Sequence, residues 1–248
     1  DYLLQTHRAP LPLKKAQQRI RADGLWVDGR LVREPKHHIV PGVERVTDGS
    51  GEDIAGSPQL FCVLNKPAGH LSQRHPTEPS VYDLIPPELQ RSDLAAFGRL
   101  DRDTTGMLLL GTDGGVQSLL LSPNSRVWKS YTATLADGVA SLASDAAAAF
   151  AAGLALEDGT ECRPATLELI NEAAVRVTLH EGFFHQVKRM LAAVGGTVAS
   201  LHRDRFGEIA DPDLAPGAMR PLTPAELRAL VGMLPDDRLG DKPSANGR

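Results

Sequence analysis

Gly98-Arg99-Leu100-Asp101-Arg102-Asp103-Thr104-Thr105-Gly106-Met107-Leu108-Leu109-Leu110 sets four charged side chains directly before an apolar run. A short apolar run bounded by turn residues reads as a buried strand, and Thr112-Asp113-Gly114-Gly115 supplies the turn after it. Loops at strand ends are where a rigid scaffold mounts reactive groups. Asp101 lies between Arg99 and Arg102, and positive neighbours favour its ionised form. An ionised carboxylate suits a nucleophile or a cation stabiliser, and does not suit a general acid. The plainer reading is an Arg/Asp-rich turn making surface ion pairs, each worth roughly 0–1 kcal/mol.

Working outward, Leu60–Leu64 reads as a strand closed by Asn65-Lys66-Pro67-Ala68-Gly69. Tyr131–Leu135 and Val175–Leu179 alternate apolar and polar residues, as half-buried strands do. Asp145–Leu156 is Ala-rich and reads as a surface helix. In Gln186–Val194 the residues Val187, Met190, Leu191 and Val194 follow helical spacing, and Gly195-Gly196 stops the helix. Lys188 and Arg189 fall off that stripe, free to reach a phosphate or a carboxylate. Leu201-His202-Arg203-Asp204-Arg205 reads as the next strand. Thr223-Pro224-Ala225-Glu226 is a capping box opening a last helix with Leu227, Leu230, Val231 and Leu234 inward. Strands and helices do not alternate strictly, so the body is expected to be α+β with a mixed, largely antiparallel sheet.

Upstream lies a smaller module. Lys14–Asp23 reads as a helix with Ala16 and Ile20 inward, ended by Gly24. Trp26–Val32 reads as a β-hairpin turning at Asp28-Gly29, because both central positions of such a turn need positive φ. The expected division is a module over 1–46, a Gly/Ser-containing linker over 47–59, a body over 60–234 and a disordered tail over 235–248. Charge follows the division. The chain of 248 residues carries a net charge of −4, yet residues 1–46 hold nine Lys/Arg against five Asp/Glu. Residues 60–248 hold 18 basic against 23 acidic. A basic module on an acidic body points to nucleic acid on the basic part.

Composition excludes other classes. Hydrophobic residues make up 42% and charged residues 23%, the balance of a globular protein. The longest uncharged apolar run, Ala146–Leu156, is far short of the ~18 residues of a membrane span. No secretion signal opens the chain, and the missing initiator Met implies a start further upstream. Cys62 and Cys162 stand far apart without metal-ligand or disulfide spacing, which makes a reducing cytoplasm the expected setting. The eight histidines show no ligand spacing. Neither of the glycine-rich nucleotide-binding patterns occurs, nor does Gly-x-Ser-x-Gly. No metal and no cofactor is expected.

Several blocks together resemble the RsuA-type pseudouridine synthases. Gly98–Leu110 resembles that family's Gly-Arg-Leu-Asp block. Leu64-Asn65-Lys66-Pro67-Ala68-Gly69 is similar to its Lys-Pro-x-Gly block, and Lys129-Ser130-Tyr131 to its Lys-x-Tyr block. Glu181-Gly182 with Gln186-Val187-Lys188-Arg189-Met190 is similar to its Glu-Gly…Gln-[Ile/Val]-[Arg/Lys]-Arg-Met block. Residues 1–46 resemble an S4 RNA-binding module. Gln186–Met190, Leu201–Arg205 and Asp213–Gly217, followed by Arg220-Pro221-Leu222-Thr223, resemble the members acting on small-subunit rRNA more than those acting on the large subunit. Phe183-Phe184 and Gly111-Thr112 depart from the family pattern, but only beside the motifs.

The resemblance implies isomerisation of a uridine to pseudouridine in 16S rRNA. Uracil would be detached from ribose, rotated and rejoined through carbon, without cofactor or redox change. It implies that Asp101 acts as nucleophile or abstracts a proton toward a glycal. It implies that Tyr131 stacks on the base and serves as general base, and that Lys188 pairs with the aspartate. Lys14, Lys15, Arg19 and Arg21 of the module would supply phosphate contacts that position rather than read sequence, and Arg99, Arg102, Arg189, Arg203 and Arg205 of the body would bind RNA at the target nucleotide. The implied partner is small-subunit rRNA, bare or in a partly assembled particle, bound by a monomer with no membrane involvement. Three other readings stay open at this stage: action on 23S rRNA, a silent assembly factor, and a hydrolase using Asp101 with Asp103.

Overall fold

The computed structural model describes residues 13–37, 39, 44–51, 59–122, 125 and 127–233. Most of the expected linker, the expected tail and Leu234 lie outside them. The chain divides into two compact units, one of Asp1–Leu60 with Thr223–Arg248 and one of Phe61–Leu222. The last helix therefore groups with the N-terminal residues, where the sequence reading had run the body to 234.

In the first unit, α1 (Leu13–Asp23) ends where Gly24 takes φ +76° and returns its N–H to the Ile20 carbonyl. Strands β1 (Leu25–Val27) and β2 (Arg30–Val32) pair Val27 with Arg30, which leaves Asp28 and Gly29 as a two-residue turn. Both have positive φ, 48° and 79°, as that turn requires. The short β3 (Val46–Thr47) adds to the other edge of β1, giving the order β2-β1-β3. The helix-then-hairpin expectation holds. Lys14, Lys15, Arg19 and Arg21 all lie exposed on α1. Helix α5 (Pro224–Gly232) opens on the expected capping box, with Thr223 N–H donating to Glu226 and Glu226 N–H donating to Thr223.

The second unit is an eight-stranded mixed sheet. Its strands are β4 (Phe61–Lys66), β5 (Ala95–Phe97), β6 (Thr105–Gly111), β7 (Lys129–Leu135), β8 (Thr166–Leu169), β9 (Ala174–Leu179), β10 (Val198–Phe206) and β11 (Met219–Pro221). The order is β11-β4-β6-β10-β7-β9-β8, with β5 also on β6. Every pairing is antiparallel except β6 with β10. Residues 107–110 are buried throughout, which explains a strand without alternation. Helix α2 (Gly114–Leu121) starts where only a turn was expected, because the Asp113 carboxylate caps it by accepting from Gly115 and Val116. Helix α3 (Ala146–Ala152) is shorter than the Ala-rich stretch and stops at Gly153, φ +94°. Helix α4 (Gln186–Ala193) buries Val187, Met190 and Leu191 as its spacing foretold.

The decisive feature is where β6 changes partners. Its end at Leu109–Gly111 pairs with β5, while Thr105 and Gly106 pair with His202 and Arg203 of β10. The connection from β5 to β6, residues 98–104, therefore crosses the point where β10 joins the sheet. Gly106 permits that junction: its φ is +103°, and a Cβ there would collide with the backbone of Arg203.

Candidate active site

Residues 98–104 carry Asp101 and are fixed by their own backbone. Lys66, at the end of β4 and 0% exposed, turns its ammonium onto this loop. Nζ donates to the carbonyls of Thr104 at 2.8 Å, Asp101 at 3.0 Å, Pro67 at 3.1 Å and Arg102 at 3.2 Å. Burial pulls Lys66 down from 10.5 to about 8, and Asp103 and Asp101 partly oppose the fall. Ser72 clasps the same loop: its hydroxyl donates to the Leu100 carbonyl at 2.8 Å and accepts from the Leu100 N–H at 2.9 Å.

The opposite wall is residues 180–187, and a second interior lysine holds it. Lys129 at the start of β7 donates to the carbonyls of His180 at 3.2 Å and Glu181 at 3.3 Å. Burial lowers it too, to about 8, with the Arg203 charge adding to the fall. The Glu181 carboxylate accepts from the Gln186 side-chain amide at 2.8 Å and from the Arg163 backbone N–H at 3.0 Å, and the Gln186 side-chain oxygen Oε1 accepts from the Phe183 N–H at 3.0 Å. His185 enters α4 with φ 48°, the left-handed conformation that bends the chain sharply into the helix.

Between these walls lies an open cleft of about 440 Å³ counting its mouth. Arg99, Asp101 and Thr104 line one side, and Glu181, Phe183, His185 and Gln186 the other. Tyr131, Leu179 and Leu201 lie at the sheet strands between them. Tyr131 is 8% exposed and pairs across the sheet with Val177 and Arg203. Lys188 reaches Asp101 at 3.6 Å despite the distance in sequence, as expected from its place off the apolar stripe. Its shorter contacts are to both carboxylate oxygens of Asp103, at 2.7 and 2.8 Å. That pairing holds the Asp103 carboxyl below the usual range. His185 Nε2 stands 3.5 Å from the other Asp101 oxygen.

The side chains beside Asp101 are thus Lys188 and His185 rather than its sequence neighbour Arg102, which pairs with Glu78 and the Gly69 carbonyl. Arg99 is exposed and lines the cleft. Arg189 pairs with Asp158 at 2.6 Å, and Arg205 lies 3.8 Å from Glu208. Arg203 is not a surface cation: it is 2% exposed, donates to the Met107 carbonyl at 2.6 Å and lies against Tyr131 and Phe206. The period of two along β10, which puts it on the face of Leu201, was the signal for this. Lys66 and Lys129, inside motifs already quoted, were not singled out. Their signal is a lysine beside an apolar strand, where burial demands partners. Among the described residues no group of His, Cys, Asp and Glu is arranged to hold a metal ion.

A strand-junction loop thus presents an ion-paired aspartate to an open cleft, faced by a tyrosine from the sheet and a lysine from the opposite helix. Residues 60–193 match the RNA pseudouridylate synthase family, so the chain belongs to that family and is an RNA pseudouridine synthase. It is 41% identical over 220 residues to the ribosomal small subunit pseudouridine synthase A of Escherichia coli K12, covering 87% of this chain and 93% of that protein. The protein of the same name from Pseudomonas aeruginosa is also 41% identical over 220 residues, covering 88% and 94%. A crystal structure of a pseudouridylate synthase superposes with a TM-score of 0.64 at 33% identity, covering 89% of this chain and 94% of that one.

Proposed function

We propose that this enzyme converts one uridine of 16S rRNA to pseudouridine, with Asp101, Tyr131 and Lys188 as its catalytic residues. The observation that carries the assignment of roles is Asp101 in the cleft with Lys188 Nζ at 3.6 Å and His185 Nε2 at 3.5 Å. Asp101 acts as the carboxylate, the form that attacks ribose or removes a ribose proton, with Lys188 as its ion-pair partner. The bond from C1′ to N1 of uracil breaks, the base turns, and a bond from C1′ to C5 forms. The C5 proton leaves to a base, and N1 ends protonated. In this reading Tyr131, which lines the cleft, lies against the uracil and acts as the general base for that proton. The uridine must leave its stack to reach Asp101, at a cost of a few kcal/mol.

Residues 1–46 act as an S4-like RNA-binding module, supported by the helix and hairpin and by Lys14, Lys15, Arg19 and Arg21 exposed on one helix. The substrate is small-subunit rRNA, bare or partly assembled, and names of relatives 41% identical over most of the chain support it. The setting is the cytoplasm, supported by two free, buried cysteines. No helix among the described residues is long and apolar enough to cross a membrane.

The test is chemical mapping of pseudouridine in rRNA from cells lacking the protein, with the wild-type and Asp101→Asn forms restored in turn. One 16S uridine should stay unmodified in the deletion and under Asp101→Asn, and regain modification with wild type. A lost site in 23S rRNA would overturn the substrate, and no lost site would favour a silent assembly factor. Purified enzyme on naked 16S rRNA and on partly assembled particles then tells which is used.

A further inference from the structure

At the mouth of the cleft two large apolar rings face solvent. Phe183 is 44% exposed and Phe184 is 68% exposed. Rings of that size gain by being covered. The rings are not on a loose loop. The Phe183 N–H is held by Gln186, the Phe184 carbonyl accepts from Arg189 at 3.4 Å, and the Phe184 ring stacks on His185 with centroids 3.8 Å apart and planes 20° apart. The left-handed backbone at His185 sets this geometry, turning the imidazole toward Asp101 and leaving the outer face of Phe184 open. His185 thus links Asp101 at 3.5 Å to a flat aromatic surface stacked at 3.8 Å.

We propose that Phe184, supported by Phe183, is a stacking platform for the base adjoining the flipped uridine on the RNA strand. This rests on the function proposed above. Extruding the uridine strips its neighbour of a stacking partner, and an aromatic ring replaces that partner without regard to base identity. The occupant is nucleic acid rather than protein because the patch is continuous with the catalytic cleft through Phe183. It is also flanked there by the exposed cation Arg99, which suits a phosphate. The platform secures the gap left by the extruded uridine, and so belongs to the open state of the RNA.

The test measures affinity directly, by fluorescence anisotropy, for a short synthetic RNA spanning the mapped uridine. Two further RNAs carry an abasic residue on its 5′ or its 3′ side. Phe184→Ala should weaken binding to the intact RNA about 5- to 150-fold, the span measured for one stacked base, and Phe184→Tyr should restore it. On one of the abasic RNAs wild type and Phe184→Ala should bind equally. Equal binding to the intact RNA, or the same weakening on all three RNAs, would overturn the platform. So would a loss confined to assembled particles, which would give Phe184 a protein partner. Because affinity is read without turnover, a wild type that binds but does not isomerise this RNA counts against the substrate assignment, while the binding ratios still decide the platform.

Discussion

Replacing Lys66 by Met should cripple catalysis more than folding. The ammonium has three protons for four carbonyls, all within 3.2 Å. Hydrogen bonds to a charged donor are worth about 1.5–3 kcal/mol each, so three give about 4.5–9 kcal/mol. The fall from 10.5 to about 8 leaves the group charged at pH 7. Met fills similar space without donors, so the carbonyls of residues 101–104 lose their common partner and that backbone shifts. A shift of about 1 Å at Asp101 is enough to cost about 100-fold in rate. Single-turnover conversion, read by chemical detection of pseudouridine, should fall at least that far while the protein still unfolds cooperatively in urea.

The pH dependence separates the two effects. The folded lysine releases its proton near 8, the unfolded one near 10.5, so between these values the unfolded chain holds more protons. The stability of wild type relative to Lys66→Met should therefore rise with pH across that window. The wild-type rate should fall over the same window as the ammonium becomes an amine. A Lys66→Met rate within threefold of wild type at pH 7, or a relative stability that falls from pH 8 to 10, would refute this account.

Asp101→Asn, which keeps size and removes charge, should lower single-turnover conversion by several orders of magnitude with RNA affinity nearly unchanged; conversion within tenfold of wild type would sink its role. Asp103→Asn should free Lys188 from its 2.7 Å partner and let it close on Asp101, so a crystal structure of the variant should show that pair nearer than 3.6 Å. Gly106→Ala should cost roughly 3 kcal/mol or more in urea unfolding, because the added carbon meets the Arg203 backbone at positive φ. The pair Lys14→Gln and Lys15→Gln should weaken rRNA binding and flatten its log–log salt slope by about 1.4–1.8, leaving the folded body intact.

Elements governed by local rules were readable before the structure. Asp28-Gly29 names its own turn, Gly24 ends its helix, and the apolar spacing of Val187, Met190 and Leu191 names both α4 and the outward side of Lys188. The start of α2 was not readable as a helix, because two glycines disfavour one and only the Asp113 cap outweighs them. The β5 pairing was hidden because three residues are too few to show a period. At the site, Asp101 and Lys188 were legible as motif residues. The contribution of Lys66 and Lys129 was not, since it depends on carbonyls that tertiary structure alone brings together. Arg203 was misjudged by counting charge without asking which face of β10 it shares.

That two lysines grip carbonyls, not side chains, has a consequence for how such an enzyme can diverge. A carbonyl is the same whatever residue owns it. Arg102 and His180 can therefore be exchanged during evolution without loosening the hold of either lysine on its wall. Rim side chains proposed to meet RNA are decoupled from the bonds that fix the walls. New targets can be tried by substitution at the rim while the chemistry stays in register.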